Sequence, residues 1–293
     1  MKILIFGSNG QLGRSISEIF PKELDKVEFS REELSITNKA RVSQVSKDIN
    51  PDFIINCAAF TEVDLAEERR EAALKVNYDG ARNLATISKD LNCALIHFST
   101  DYVYDGKKKN PYLETDDEAP LNYYGLTKQY GDQIIKDTCS KYFIFRLSGV
   151  FSPYGENFIK SLLRLRTNKS IVVVDDLFFK PTSARIVAKF LLDNLNKRMF
   201  ERAPSGLYNF SLNGDQLSWN EFAKVIFSES LSMKLINHVP EIKAINADDF
   251  VGRAIRPYYS VMDNSKIKSN FSFPNTGLIE VLREELPLIF ANL

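Results

Sequence analysis

Cysteine, histidine and tryptophan are scarce in this chain of 293 residues, which contains three, two and one of them, respectively. Cys57, Cys93 and Cys139 are odd in number and far apart, and each lies in or beside an apolar run. The spacing argues against a disulfide framework and favours a reducing compartment. Two scattered histidines, His97 and His238, are too few to indicate a metal site. His97 lies inside an apolar run and is interpreted as a core residue.

Net charge is absent too, because 38 basic residues balance 38 acidic ones. This balance argues against a general electrostatic grip on nucleic acid or on an anionic membrane. No run approaches the roughly 18 apolar residues of a membrane span. The apolar run at the amino terminus leads directly into glycine, without the length or the cleavage site of a signal peptide. We therefore expect a cytoplasmic protein.

Short apolar runs alternate with longer amphipathic stretches through the first half of the chain. The runs interpreted as strands lie at 2–7, 26–30, 52–58, 93–100 and 142–148. The stretches interpreted as helices lie at 12–20, 39–48, 66–91 and 124–138. The strands are almost continuously apolar, which indicates burial on both faces. We predict an α/β fold with a Rossmann-type, doubly wound parallel sheet.

After residue 150 the alternation loosens. Helices are predicted near 157–166, 182–195 and 218–227, and strands near 170–176 and 206–212. We predict that 1–150, joined by about 182–212, form a larger domain. A smaller carboxyl-terminal α/β domain would consist of about 151–181 and 213–293. The cleft between two such domains is the expected ligand site.

A glycine-rich turn follows the first predicted strand. Gly7, Gly10 and Gly13 are spaced as G-x-x-G-x-x-G rather than the commoner G-x-G-x-x-G. Glycine lets the chain turn tightly and lets its backbone approach a pyrophosphate, which then lies at the amino terminus of the next helix. A plain glycine turn is the alternative, but the position between a strand and a helix favours dinucleotide binding.

The residues after the second strand bear on the choice between NADPH and NADH. An arginine there accommodates a 2′-phosphate, whereas an acidic residue binds the ribose 2′-hydroxyl. Arg31 directly follows the strand and favours NADPH. Glu32 and Glu33 come next, so NADH stays open.

Polar residues end the fourth predicted strand, at the edge of the sheet that faces the ligand crevice in such folds. Thr100 can donate a hydrogen bond to a substrate oxygen there, and Asp101 and Tyr102 can contact sugar hydroxyls or close the site. The alternative is a β-turn at 105–106 with Thr100 as a capping residue.

Tyr124 and Lys128 are four residues apart and share one face of a predicted helix. A phenol normally titrates near pH 10, and we expect the neighbouring ammonium to lower its pKa toward neutrality. The pair would then protonate a carbonyl oxygen as hydride reaches the carbon. A solvated helix face is the alternative, and Tyr123 competes as the acid but has no lysine at i+4.

Several motifs occur in one order: GSNGQLG, NCAAFTEVDLAEE, VN, STDYVYDG, YYGLTK, FRLSGVFSPYGENF, DDLFFKPT, SWNEFAKVIF and RPYYSVMD. Together they resemble the extended short-chain dehydrogenase/reductases and, within them, the dTDP-4-dehydrorhamnose reductase family. The resemblance implies an NAD(P)-binding Rossmann domain and a substrate domain. It also implies reduction of the C4 keto group of a nucleotide-linked 4-keto-6-deoxy sugar, for polysaccharide biosynthesis.

The resemblance also implies roles for individual residues. The cofactor would be held by the glycine turn and Arg31, and along its length by Gly10, Gln11, Leu12, Ala58, Ala59, Thr61, Tyr124 and Lys128. The catalytic set would be Thr100, Tyr124 and Lys128. The substrate would be contacted by Thr100, Asp101, Tyr102, Asn157 and Arg256, the last at its diphosphate.

Two segments depart from the family pattern where it contacts the substrate. Gly149 stands where the family has a tryptophan, and 175–182 lacks a glutamine and a glycine of the family motif. The sugar and its nucleotide base therefore stay open. So do two other activities: an epimerase or dehydratase of the same superfamily, and a non-catalytic, NADP-binding regulatory subunit like that of methionine adenosyltransferase. A homodimer is also open, because some relatives dimerise through magnesium, but no carboxylate cluster indicates a metal site here.

Overall fold

A computed structural model describes residues 1–249, 252 and 254–293. Its strands are β1 (Ile3–Phe6), β2 (Lys26–Phe29), β3 (Phe53–Asn56), β4 (Ala94–Thr100), β5 (Tyr142–Leu147), β6 (Val150–Phe151), β7 (Ser170–Val174), β8 (Phe178–Phe179), β9 (Thr182–Ser183), β10 (Gly206–Asn209), β11 (Leu217–Ser218) and β12 (Glu241–Ile245). Its helices are α1 (Gln11–Ile19), α2 (Lys39–Ile49), α3 (Val63–Glu68), α4 (Arg70–Leu74), α5 (Ala81–Leu91), α6 (Tyr123–Thr138), α7 (Phe158–Arg164), α8 (Ala184–Asn196), α9 (Met199–Arg202), α10 (Trp219–Ser232), α11 (Ser265–Asn270) and α12 (Leu278–Ala291). In the described part of the chain no helix combines the length and apolarity that crossing a membrane requires.

Six parallel strands form the central sheet, in the order β2-β1-β3-β4-β5-β10. The order reverses between β1 and β3, so the connections after these strands leave in opposite directions and open a crevice at their carboxyl ends. The predicted α/β fold with a doubly wound parallel sheet is confirmed.

Successive residues of the inner strands enter two different cores. Ile3 and Ile5 belong to the core beneath α1 and α8, whereas Leu4 and Phe6 belong to the core beneath α2 and α5. Both faces of the sheet are therefore covered, which is why the strand sequences show no polar alternation.

One predicted helix is wrong in its continuity. The stretch 66–91 divides into α3, α4, a π-helical turn at Lys75–Gly80, and α5. The backbone breaks at Arg69, with φ −105° and ψ 51°. In the π-helical turn the side chain of Asn77 bonds both backbone groups of Phe60, at 2.8 and 3.1 Å. This tertiary tie holds the wider turn in place.

The second half of the chain supplies small sheets and one more strand of the large sheet. The pairs are β7 with β12, β8 with β11, and β6 with β9. The predicted helix at 182–195 begins later, at Ala184, because Thr182–Ser183 form β9 and the Ser183 side chain caps α8. β10 joins β5 at the sheet edge. The division into a cofactor domain and a substrate domain stays a prediction.

The three cysteines are free thiols. Cys93 and Cys139 are buried, and burial raises the pKa of each to about 11. Such thiols stay protonated and act as packing groups.

Candidate active site

A cavity of about 650 Å³ opens at the carboxyl ends of the sheet strands. It collects most of the predicted site residues: Gly10, Gln11, Leu12, Ala58, Ala59, Thr61, Thr100, Asp101, Tyr102, Tyr124, Lys128 and Asn157. The parallel strands bring these distant segments together because their carboxyl ends share one edge of the sheet.

The three glycines of the first turn have different tasks. Gly7 has φ +80°, and a Cβ there would lie 2.6 Å from the backbone nitrogen of Ala58. A Cβ on Gly13 would lie 2.2 Å from the Gly7 carbonyl oxygen, so α1 packs directly on the turn. Gly10 precedes α1 and provides no side-chain cap, and it lines the cavity with Gln11 and Leu12. This uncapped helix start fits a pyrophosphate.

The turn after β2 binds Glu33, one of the two acidic neighbours of Arg31, to its own backbone. Glu33 accepts a hydrogen bond from the backbone N–H of Ser30 at 2.8 Å, and its bonds with Ser30 hold the pKa of Glu33 below its usual range. Its carboxylate is thus bound back to its own chain. Arg31 is exposed on the same turn and lies outside the residues that line the cavity.

Thr100 ends β4 and is only 5% exposed. Its hydroxyl donates to Asp101 Oδ1 at 3.1 Å and accepts from the N–H of Tyr102 at 3.2 Å. The capping role considered as an alternative is therefore real. Thr100 also lines the cavity together with Tyr124.

Tyr124 and Lys128 lie on one face of α6, but their ends diverge. The Lys128 Nζ donates to the carbonyl oxygen of Phe98 at 2.6 Å and lies 3.3 Å from His97 Nε2. Burial lowers the pKa of Lys128 to about 8. Burial raises the pKa of Tyr124 above its ordinary value, and nearby carboxylates add to the rise. The predicted lowering of the phenol pKa is wrong here, because desolvation dominates and Nζ of Lys128 bonds to Phe98 instead.

Tyr123, the competing tyrosine, is turned away from the cavity. The guanidinium of Arg70 lies over its ring, 5.0 Å from the ring centroid. Its backbone N–H donates to Glu67 at 2.7 Å. Of the two tyrosines, Tyr124 is the one that lines the cavity.

Asp101 supports the site from below. It is buried, and its Oδ2 accepts a hydrogen bond from Ser148 at 2.6 Å. Burial raises its pKa to about 6, against the effect of hydrogen bonds from Ser148, Ser260 and Thr100. This carboxylate therefore orients Thr100, whereas the neighbouring Tyr102 lines the cavity and packs edge-on against Tyr124.

A second cavity, of about 530 Å³, adjoins the first. Tyr102 and Trp219 line both, and the second is otherwise walled largely by apolar side chains such as Phe158 and Val174. Arg256 lines the second cavity and donates to Asp64 Oδ2 at 2.6 Å. The two cavities together form one elongated cleft with a cation in its second part.

Comparison with known proteins fits this arrangement. The family model described as the RmlD substrate binding domain matches residues 1–287. The chain belongs to this family.

Individual RmlD relatives are similar over nearly their whole length. A dTDP-4-dehydrorhamnose reductase of Aggregatibacter actinomycetemcomitans is 38% identical over 277 residues, covering 92% of this chain and 93% of the relative. The crystal structure of a dTDP-4-dehydrorhamnose reductase from Bacillus anthracis str. Ames, in complex with NADP, is 35% identical with a TM-score of 0.87. That match covers 97% of this chain and 98% of the other. A dTDP-4-keto-6-deoxy-D-glucose reductase of Streptomyces niveus is 31% identical, covering 99% and 98%, respectively.

The two departures from the RmlD family pattern meet in space. Gly149 has φ +51°, and a Cβ there would lie 2.3 Å from Cε2 of Phe179. The Phe179 ring is stacked on Trp219, with 3.9 Å between centroids. Phe179 lies in the segment 175–182, and its ring fills the space that a larger residue at 149 would need. The sequence alone did not link these two positions.

Asn157, expected at the substrate, lines the first cavity and lies beside the first turn. It caps α7, and its Nδ2 donates to Gln11 Oε1 at 3.0 Å. Ser152 donates to the same oxygen at 3.2 Å. Through these two hydrogen bonds, Asn157 and Ser152 connect the segment after β6 to Gln11, next to the predicted pyrophosphate turn.

A buried polar network beneath the cavity was missed by the sequence reasoning. It contains Asn56, His97, Asp132 and Arg146, each at most 2% exposed. One signal was present: Asp132 follows Lys128 by four residues, as Lys128 follows Tyr124, and so lies on the same helix face. No group of three or more histidine, cysteine or acidic residues in the described ranges is placed to hold a metal ion.

Proposed function

We propose that the protein reduces the C4 keto group of a dTDP-linked 4-keto-6-deoxy sugar with NADPH, as a dTDP-4-dehydrorhamnose reductase of polysaccharide biosynthesis. One observation carries the proposal: Thr100, Tyr124 and Lys128 line the same cavity as the open first turn. A carbonyl reductase needs a general acid next to a dinucleotide-binding site.

The cofactor would be held by the start of α1 and by the segment after β3. Gly10 and Leu12 offer backbone N–H groups to the pyrophosphate, and Ala58 and Thr61 line the path beyond it. Arg31 offers its guanidinium to a 2′-phosphate, which favours NADPH over NADH. Bound NADPH supplies hydride to the carbonyl carbon.

Tyr124 supplies the proton. Its raised pKa keeps the phenol protonated at neutral pH, which the reductive direction requires because the acid must hold its proton until the alkoxide forms. Thr100 lies in the same cavity and can donate to the same carbonyl oxygen. Lys128 offsets the charge of the phenolate that remains.

The nucleotide would occupy the second cavity. Its apolar walls suit a pyrimidine ring, and Arg256 can take the diphosphate in place of Asp64. Tyr102 lines both cavities and would lie beside the sugar. A cytoplasmic location and a homodimer stay predictions.

Replacement of Tyr124 by phenylalanine tests the reaction, with Tyr123→Phe as the matched control. We expect Tyr124→Phe to lower kcat by about 10²-fold or more with NADPH affinity unchanged, and Tyr123→Phe to keep its activity. The measurement is NADPH absorbance with dTDP-, GDP-, CDP- and UDP-linked 4-keto sugars.

The same assay separates the other activities. A reductase oxidises one NADPH per product, whereas an epimerase or dehydratase returns the hydride and oxidises none. A regulatory subunit would bind NADPH without turnover. Equal rates for Tyr124→Phe and the unmodified protein would rule out the catalytic assignment.

A further inference from the structure

His97 lies directly beneath Lys128, in the middle of β4, and is 1% exposed. Its two ring nitrogens face different partners. Nδ1 is 3.0 Å from Asn56 Nδ2, and Nε2 is 3.3 Å from Lys128 Nζ. A buried imidazole between an amide and an amine is more than core filling, because each contact requires a defined proton.

The proton of His97 can be assigned from its neighbours. The backbone N–H of Ala58 donates to Asn56 Oδ1 at 3.1 Å, which turns the amide nitrogen of Asn56 toward His97. That nitrogen is a donor only, so Nδ1 of His97 is the acceptor. A neutral imidazole carries one N–H, and here it must be on Nε2. Burial, followed by the charge of Lys128, holds the pKa of His97 well below its usual value, so the ring is neutral.

The Nε2–H group has one acceptor within hydrogen-bond distance and a second one slightly farther away. One is the nitrogen of Lys128 in its amine form. The other is Oδ1 of Asp132, at 3.9 Å, a buried atom with no hydrogen-bond partner in the described part of the chain. An ammonium at Lys128 offers donors only, so it cannot accept from His97.

We propose that His97 is a positioning residue for Lys128. The Nε2–H of His97 holds the amine form of Lys128 below the cavity. It repels the ammonium form, which is thereby released toward the cavity. In the ammonium form, two donors would face each other at 3.3 Å. A small shift of the His97 ring would then bring Nε2–H within hydrogen-bond distance of Asp132, and the charged group would move toward Tyr124. The inference rests on the proposed function, in which Lys128 stabilises the phenolate.

The charges around this pair come from three elements. α6 contributes Tyr124 and Asp132, and the segment after β4 contributes Asp101. β5 contributes Arg146, whose Nη2 is 3.6 Å from Asp132 Oδ2 and is paired with Glu118. Arg146 thus partly balances Asp132, which leaves room for the proton of His97 at Oδ1.

The proton on His97 can be observed by ¹⁵N NMR of histidine-labelled protein. The chain has two histidines, and the exposed His238 is identified by its loss in His238→Asn. We expect the His97 signals to report the neutral Nε2–H tautomer between about pH 6 and pH 9. They should shift near the pKa of Lys128, about 8, and this shift should disappear in Lys128→Met. An Nδ1–H tautomer, an imidazolium or an absent shift overturns the proposal.

The pH profile of kcat/KM gives the second readout. Activity should fall as pH rises through the pKa of Lys128. In His97→Leu the opposing N–H is gone, so this limb should move up by about one pH unit, the size expected for one hydrogen bond to a charged group. His97→Gln, which keeps an N–H in that region, should stay close to the unmodified profile.

Ile96→Ala is the control for lost packing, because Ile96 is buried in the same strand and is outside the network. Ile96→Ala should lower stability without moving the high-pH limb of the kcat/KM profile. If that limb does not move in His97→Leu either, the proposal is overturned. If His97→Leu does not fold, the NMR result decides. Failure of the proposed function has a different signature: no NADPH oxidation by the unmodified protein, whatever the tautomer of His97.

Discussion

Gly149 combines a left-handed backbone, with φ +51°, and a close contact to the ring of Phe179. That ring is held from two sides, by Trp219 and by Phe222. We expect Gly149→Ala to lower the free energy of unfolding by about 1–3 kcal/mol more than backbone strain alone, and to raise KM, since Gly149 and Phe179 line the cavity. Denaturant unfolding and substrate kinetics measure both effects.

Gly214→Ala is the matched control, because Gly214 also has positive φ, at +120°, but a Cβ there meets nothing within 4 Å. In a Phe179→Ala background the collision is absent. Adding Gly149→Ala there should therefore lower the free energy of unfolding by less than it does in the unmodified protein. A Gly149→Ala variant as mild as Gly214→Ala would contradict the steric explanation.

At the scale of single residues, the sequence predicted which side chains meet but not how they are protonated. Thr100, Tyr124 and Lys128 could be found because strand ends and helical spacing are local properties of the chain. The raised pKa of Tyr124 depends on burial, which the spacing does not reveal. His97 was correctly interpreted as buried, but its contact with Lys128 joins two segments far apart in sequence.

Helix α6 carries both Tyr124 and Lys128, and its placement depends on Gly131. A Cβ on Gly131 would lie 2.4 Å from the carbonyl oxygen of Asn77, in the π-helical turn. Alanine favours a helix over glycine by about 1 kcal/mol, but here the backbone contact opposes it. We expect Gly131→Ala to lower the free energy of unfolding by about 1–3 kcal/mol and to lower kcat, because α6 must shift.

Thermal unfolding with steady-state kinetics measures this, and Gln133→Ala, at an exposed position of α6, should have little effect on either. A stabilised Gly131→Ala variant would mean that helix propensity outweighs the contact.

Most elements of the large sheet and its covering helices could be predicted to within a few residues, since these strands are buried on both faces and these helices carry clear apolar stripes. The division of 66–91 could not be predicted. It depends on the bonds between Asn77 and Phe60, which join residues 17 apart, and no local pattern marks them.

For the whole molecule, stability should depend on pH through Glu285. This carboxyl is 2% exposed in α12, it accepts a hydrogen bond from Ser183, and burial raises its pKa to about 7 from 4.5. Between these two values the unfolded chain has released the proton and the folded protein still holds it. The free energy of unfolding therefore falls as pH rises through this window.

Glu285→Gln should remove this loss, so that at pH 8 the variant is more stable than the unmodified protein by about 1–3 kcal/mol. Urea unfolding from pH 5 to pH 8 measures how the free energy of unfolding changes with pH in the unmodified protein and in Glu285→Gln. Glu284→Gln, at an exposed neighbour paired with Lys189, should keep the slope of the unmodified protein. Parallel slopes for Glu285→Gln and the unmodified protein would contradict the assignment.

The large sheet is completed late in the chain. β5 ends at Leu147, whereas its neighbour β10 spans Gly206–Asn209. During synthesis the ribosome must therefore add about 60 residues, roughly the length of a small domain, before β5 is covered. Until then the nascent chain displays an apolar strand edge, the kind of surface that recruits chaperones or pairs with a second nascent chain.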